Sequence, residues 1–292
     1  MDYLARIMTI PYVGNRSFRR QDLLCLSLYY MGFSRIRNLV FRMRRIPVAR
    51  ILAFHDVSKD QVQGFREQME TIKSMTNVVS LDDILAGRMS EERINVAITF
   101  DDGYRDCIDI VTPILKELKV TATFFVSSGF VGLAEEEERN FLKANLRSDK
   151  VTNGGIIAKG LRKLSSEGFS VGGHTCNHVD LAKLKEINEI RKEIQNDKRE
   201  LEAIIGTKVE YFAYPFGYYR NEGFDLAQIL RESGFRGALT LVPGLNNADT
   251  NRYLLHRDLV NASMPMSVFK ARLLGNHDGV MFLRRIVRGS EI

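Results

Sequence analysis

Tryptophan is absent from this chain of 292 residues, and cysteine occurs three times, at Cys25, Cys107 and Cys176. An odd, scattered set of thiols argues against a disulfide framework and fits a reducing compartment. Without an indole, any binding cleft must be floored by other rings. The apolar stretch Leu23 to Phe33 falls well short of the roughly 20 residues a spanning helix needs. Met1 to Pro11 lacks a charged start, a clean apolar core and a small-residue cleavage site, so no signal peptide is expected. No internal repeat or low-complexity tract stands out. What remains is the expectation of a cytoplasmic protein with one sizeable domain, since 45% hydrophobic content over this length suffices for a full core.

Charge is unevenly spread. The first fifty residues carry ten arginines against Asp2 and Asp22, a local charge of +8, whereas the whole chain carries +6. The basicity therefore belongs to an N-terminal extension, residues 1–48, and not to the body of the chain, residues 49–292. Within the extension, Ile36, Leu39, Val40 and Met43 recur at i, i+3, i+4 and i+7 among arginines, the pattern of an amphipathic helix. Two readings stand: residues 16–45 lie on an anionic membrane surface, on the inner face for a cytoplasmic protein, or the apolar stripe packs on the body and the arginines face water. No binding-motif spacing accompanies the charge, so nucleic acid is not expected as a partner.

The body alternates strand and helix patterns. Strands are expected at 49–54, 95–100, 122–127, 169–173, 210–214, 236–241 and 253–257, with helices near 60–75, 108–119, 155–167, 186–205, 222–233 and 266–275. Seven strands with intervening helices predict an α/β fold, a distorted and incompletely closed (β/α)7 barrel with a basic helical extension. Residues 129–153, holding Glu135 to Glu138, follow the third strand as a solvated charged loop or a lid over the cleft.

Two strand ends carry chemistry. The buried run Ile94 to Phe100 delivers Asp101 and Asp102 into a turn at Gly103, and Phe169 to Gly173 leads to His174, with His178 four residues on. Adjacent strand-end carboxylates diverge, so one can face a metal while the other faces the water that the metal activates. If a helical turn follows His174, both imidazoles share a face. Two imidazoles and a carboxylate form a facial ligand set with open positions, as catalytic sites have. The ordinary alternative, a capping pair of aspartates and two loop histidines, holds for either motif alone. At i+2, Cys176 points away from that shared face and is read as structural.

At these residues the chain resembles the polysaccharide deacetylases, carbohydrate esterase family 4, with a NodB-like domain. The resemblance spans about residues 49–275 and runs through Ile51 to Val57, Thr99 to Gly103, Thr121 to Val126, His174 to Leu181, Phe212 to Gly217 and Leu254 to His256. It implies Asp102, His174 and His178 as ligands of one divalent ion, zinc by default, Asp101 as general base and His256 as general acid. The oxyanion donor is then the backbone N–H of Phe216 beside the proline turn, with Tyr214 and Leu254 near the substrate. His55 ends the first strand, as a substrate contact or a structural hydrogen-bonding group.

The chain departs from the family twice. An arginine that pairs with the catalytic aspartate is replaced by Ala213, leaving Arg257 as a candidate to tune Asp101. The tryptophan motif that orients the catalytic histidine is missing, with only Asp258 or Asp249 as substitutes. The implied activity is metal-dependent N-deacetylation of an N-acetylhexosamine glycan or glycan-lipid. The alternatives are a deacylase for an O-acetyl ester or small amide, and a silent glycan-binding scaffold.

Overall fold

The computed structural model describes residues 20–147 and 154–278. Residues 1–19 of the basic extension, 148–153 of the expected loop, and 279–292 lie outside the described residues.

Eight parallel strands form one sheet: β1 (Ala49–Phe54), β2 (Asn77–Val78), β3 (Asn95–Phe100), β4 (Thr123–Val126), β5 (Ser170–Gly173), β6 (Tyr211–Ala213), β7 (Gly237–Leu239) and β8 (Asp258–Leu259). Their order is β7-β6-β5-β4-β3-β1-β8, with short β2 beside β3. Every residue of β1 and β3 is buried. That is why both sequences run apolar without alternation: helices cover a parallel sheet on its outer face and the curled sheet covers its inner one. β1 and β3 pair in register from Ala49↔Asn95 to Phe54↔Phe100. The Phe100 ring stacks on Phe54 at 5.4 Å and on Phe124 at 5.0 Å. This row of rings spans three strands and closes β1 and β3, so His55 and Asp101 emerge together at the rim.

The sheet curls into the expected incomplete barrel. The expected strand 253–257 is displaced: Leu255 bridges only to Leu239 of β7, and the ladder to β1 forms at Asp258 and Leu259. This segment leaves one edge of the curled sheet and joins the other, so it cannot hold a long ladder with either.

Ten helices are described: α1 (Arg20–Tyr30), α2 (Phe33–Met43), α3 (Val62–Met75), α4 (Leu81–Leu85), α5 (Thr112–Glu117), α6 (Glu135–Ala144), α7 (Ala158–Ser166), α8 (Ile187–Ile205), α9 (Leu226–Glu232) and α10 (Met266–Leu273). The acidic run is not loop but the first turn of α6, where carboxylates complement the helix dipole. Glu138 also accepts the Gly155 N–H at 3.1 Å and pairs with Arg105.

Helices α1 and α2 form a hairpin held to α10 by polar anchors. Buried Asp22 pairs with Arg272 at 3.0 Å, and Cys25 packs on Ala271. Arg37 donates to the carbonyls of Leu274 (2.7 Å) and Gly275 (3.0 Å) and to Asp278 (2.9 Å). The packed-stripe alternative is therefore corrected. Ile36, Leu39, Val40 and Met43 are exposed and Arg37 turns inward, because the carbonyls just past the end of α10 supply acceptors that a donor-rich side chain can use.

Candidate metal centre

Asp102, His174 and His178 converge at the carboxyl ends of β3 and β5. All three are buried, and their ligand atoms lie within 4.8 Å of one another. The Asp102 Oδ1 to Nε2 separations are 3.5 Å for His174 and 3.3 Å for His178. Two donors held about 2.1 Å from a zinc ion at a tetrahedral angle stand about 3.4 Å apart. Asp102 Oδ1 is buried with no hydrogen-bond partner among the described residues, as a carboxylate oxygen reserved for a cation would be. The residues thus fit a divalent ion.

Backbone carbonyls aim both rings. His174 Nδ1 is 2.7 Å from the Ala213 oxygen, and His178 Nδ1 is 3.1 Å from the Asn145 oxygen. Such acceptors place the proton on Nδ1 and direct the Nε2 lone pair to the centre. Asn145, just beyond α6, also donates from its side chain to the Asn177 carbonyl at 2.6 Å. The segment expected as a lid or charged loop therefore orients His178.

No helical turn joins the two histidines. Residues 174–178 form a turn in which Thr175 (φ 63°) and His178 (φ 49°) are left-handed. Asp197 of α8 braces it: its oxygens accept the backbone N–H groups of His174 and Ser128, both at 2.8 Å. Burial pushes this carboxyl up to about 7, against the pull of those donors. Asp197 was missed in the sequence, although it sits with Ile190, Ile194 and Leu201 on the buried stripe of α8, and an aspartate within an apolar stripe is the signal that would have found it. Cys176 is no ligand of this centre. Burial pushes its thiol up to about 12, disfavouring the thiolate a metal would need.

Asp101 is buried beside the triad. Arg257, itself fully buried, donates to Asp101 Oδ1 at 2.7 Å, to Thr99 Oγ1 at 3.1 Å and to the Thr240 carbonyl at 2.9 Å. Burial alone would raise the Asp101 carboxyl; the Arg257 charge, then those of His174 and His55, hold it below the ordinary carboxylate range. Burial also opposes ionisation of Asp102, and the His55 charge with the neighbouring His174 and His178 rings holds it well below that range. His55 follows Phe54 of β1, the residue paired with Phe100 just before these carboxylates.

The remaining sequence-selected residues are placed differently. His256 stands beside Arg257, which reaches Asp101. It lines a cavity of about 270 Å³ with Leu254, Tyr219 and Thr240, and none of Asp101, Asp102, His174 or His178 lines it. Of the expected orienting partners of His256, Asp258 pairs with buried Arg50, and Asp249 lines the same cavity as His256. Tyr214 is corrected as a substrate contact, since it is fully buried and donates to the Tyr253 carbonyl at 3.1 Å. Phe216, left-handed at φ 59°, lays its ring edge-on to His178 at 4.5 Å, with the Arg147 guanidinium over its other side at 4.2 Å.

Known proteins resemble this chain in sequence and in fold. The chain is 27% identical to the YxkH protein of Bacillus subtilis (strain 168) over 180 residues, which is 60% of this chain and 55% of that protein. It is 24% identical to a poly-beta-1,6-N-acetyl-D-glucosamine N-deacetylase of Staphylococcus aureus (strain N315) over 212 residues, covering 71% and 68% of the two chains. The fold matches that of the Streptococcus pyogenes deacetylase PplD, solved with acetate, with a TM-score of 0.62 at 20% identity over 77% of this chain and 98% of the other. It also matches IcaB from Ammonifex degensii, with a TM-score of 0.58 at 24% identity over 78% and 97%. The family model described as polysaccharide deacetylase matches residues 88–238, more than half of the sequence and the stretch that holds Asp101, Asp102, His174 and His178, and the chain belongs to that family.

Proposed function

We propose that this chain is a metal-dependent N-deacetylase acting on an N-acetylhexosamine glycan, with zinc at Asp102, His174 and His178. The observation that carries the reading is the pairing of this buried triad with an aspartate kept ionised by a buried arginine. An acetamide is a poor electrophile with a poor leaving group, so hydrolysis needs a nucleophile, an oxyanion stabiliser and a proton donor. A bound zinc ion supplies Lewis acidity and lowers the pKa of water toward about 7.

The chain's own residues divide the remaining work. Asp101, held as a carboxylate by Arg257, takes the proton of the attacking water. The Phe216 N–H, on a left-handed residue fixed by the His178 and Arg147 contacts, faces the developing oxyanion. His55 protonates the leaving nitrogen: it follows Phe54, which pairs with Phe100 just before Asp101 and Asp102, whereas His256, given this role from the sequence, lines a cavity that none of Asp101, Asp102, His174 and His178 lines. The Staphylococcus aureus relative, named for N-deacetylation of poly-beta-1,6-N-acetyl-D-glucosamine, supports the substrate class.

The test is acetate and amine release from N-acetylglucosamine oligomers, with chelation and zinc re-addition, for the parent protein and for Asp101→Asn, His55→Ala and His256→Ala. Chelation should abolish release and zinc restore it. Asp101→Asn and His55→Ala should each lose about 10²- to 10⁴-fold in rate, with His256→Ala within a few-fold of the parent. Release that survives chelation, or an active Asp101→Asn, would refute the mechanism. A large loss confined to His256→Ala would return the acid role to that residue.

A further inference from the structure

Ten large apolar side chains are exposed among the described residues, and nine of them lie between Leu23 and Met43. Tyr30 and Met43 are each 75% exposed, Met31 70% and Ile36 65%. Scattered single exposures are ordinary, but a contiguous set of this kind marks an interaction surface. Arg35, Arg42, Arg44 and Arg45 are exposed around it, and no acidic residue occurs between Leu23 and Val48.

The direction in which the hairpin faces is fixed by its anchors. A hairpin built to be covered by the barrel would turn Ile36, Leu39 and Met43 inward and leave its arginines in water. Here Asp22 and Arg37 hold the inner side, and the apolar stripe is presented outward within a ring of cations. We propose that the α1–α2 hairpin is a docking surface for an anionic lipid bilayer, its apolar stripe entering the acyl boundary and its arginines meeting the headgroups.

Charge complementarity selects this occupant. A second copy would oppose arginine to arginine with no exposed acidic residue in the hairpin to offset the repulsion, since Asp22 is buried against Arg272. Residues 279–292 carry Arg284, Arg285 and Arg288 against Glu291, so they share the sign of the surface. Among the described residues no helix is long and apolar enough to cross a membrane, which leaves attachment in the plane of the interface. The anchor also sets the pose. Asp278 bonds both Arg37 and Arg50, the second residue of β1, and His55 lies about 16 Å farther along the chain at the strand rise. A docked hairpin thus leaves the metal centre at the other end of β1 open to substrate.

The experiment is co-sedimentation of the full chain with vesicles of phosphatidylcholine alone and of phosphatidylcholine with about one third phosphatidylglycerol. Binding should be at least about tenfold tighter to the anionic vesicles and should fall steeply as salt rises from about 0.05 to 0.5 M. Arg35→Gln with Arg42→Gln should weaken it about 25-fold, some fivefold per arginine. Ile36→Gln with Met43→Gln should also abolish most binding, while circular dichroism and acetate release from soluble oligomers stay at the parent level. Equal partition to both vesicles, or no sedimentation, would overturn the proposal. So would a dimer in light scattering that Ile36→Gln dissolves, which would make a second copy the occupant.

Discussion

Replacing Arg257 with alanine tests the coupling at the centre of the site. In the parent, Arg257 and Asp101 are 0% and 2% exposed and 2.7 Å apart, and Arg257 also donates to Thr99 and Thr240. Removing one partner of a buried pair leaves an uncompensated charge and costs about 3 to 5 kcal/mol. For a chain of this size that is a fall of about 6 to 20 °C in melting temperature. The second consequence is on titration. With Arg257 gone, burial dominates and the Asp101 carboxyl rises, so the acid limb of kcat/KM moves to higher pH and the base is protonated over more of the neutral range. Thermal unfolding and pH–rate profiles of Arg257→Ala and of Arg257→Ala with Asp101→Asn measure both. The double variant has no buried charge to strand and should recover stability relative to Arg257→Ala. Guanidinium added to the single variant should partly restore its rate. An unmoved acid limb, or a double variant no more stable than the single, would refute the coupling.

Asp197→Ala removes the acceptor of the His174 and Ser128 N–H groups, and each stranded donor costs about 1 to 3 kcal/mol. Its zinc affinity, read by competition with a chromophoric chelator, should fall about 10- to 100-fold, and parent-level affinity would show that the brace is dispensable. At Asp258, burial would raise the carboxyl, but Arg50 outweighs it and holds the folded-state value below the ordinary range. The stability it contributes is present above about pH 4 and is lost as pH falls through the folded-state value. Denaturant unfolding of Asp258→Asn should therefore show a shallower acid-side decline than the parent, and identical slopes below about pH 4 would count against this origin.

Much of the site was legible because its groups end strands. Asp101, Asp102 and His174 each follow a short apolar run, and position at a strand's carboxyl end is a property that sequence pattern carries. Arg257 was legible only as a neighbour of His256. The motif that singled out His256 says nothing of its neighbour, and the reach of Arg257 to Asp101 across 156 residues is visible only in the fold. The seam at 252–259 was misjudged for a related reason: local apolar pattern predicts a strand, but the change of edge is set by barrel closure. The turn between His174 and His178 was illegible because threonine and histidine carry no signal for left-handed backbone. For the hairpin, periodicity identified the amphipathic helix but could not say which face the barrel takes, because Asp278, 241 residues beyond Arg37, makes that choice.

Backbone strain separates folding from function here. Among the described residues, seven other than glycine occupy the left-handed region, and four of them are Asp102, Thr175, His178 and Phe216. Each costs about 1 to 3 kcal/mol, and two, Thr175 and Phe216, carry branched or bulky side chains for which the region is least tolerant. Folding alone gives no reason to gather such conformers at one rim of the barrel, or to leave Asp102 Oδ1 buried without a hydrogen-bond partner beside them. The surrounding bonds instead hold them there: Asp197 on the His174 amide, Ser127 on the His174 carbonyl at 3.0 Å, and the Asn145 carbonyl on His178. These contacts fix ring directions rather than relieve the backbone. A cation at the triad would attract Asp102 Oδ1 and both Nε2 lone pairs at once, offsetting a cost that the rest of the fold sustains without return.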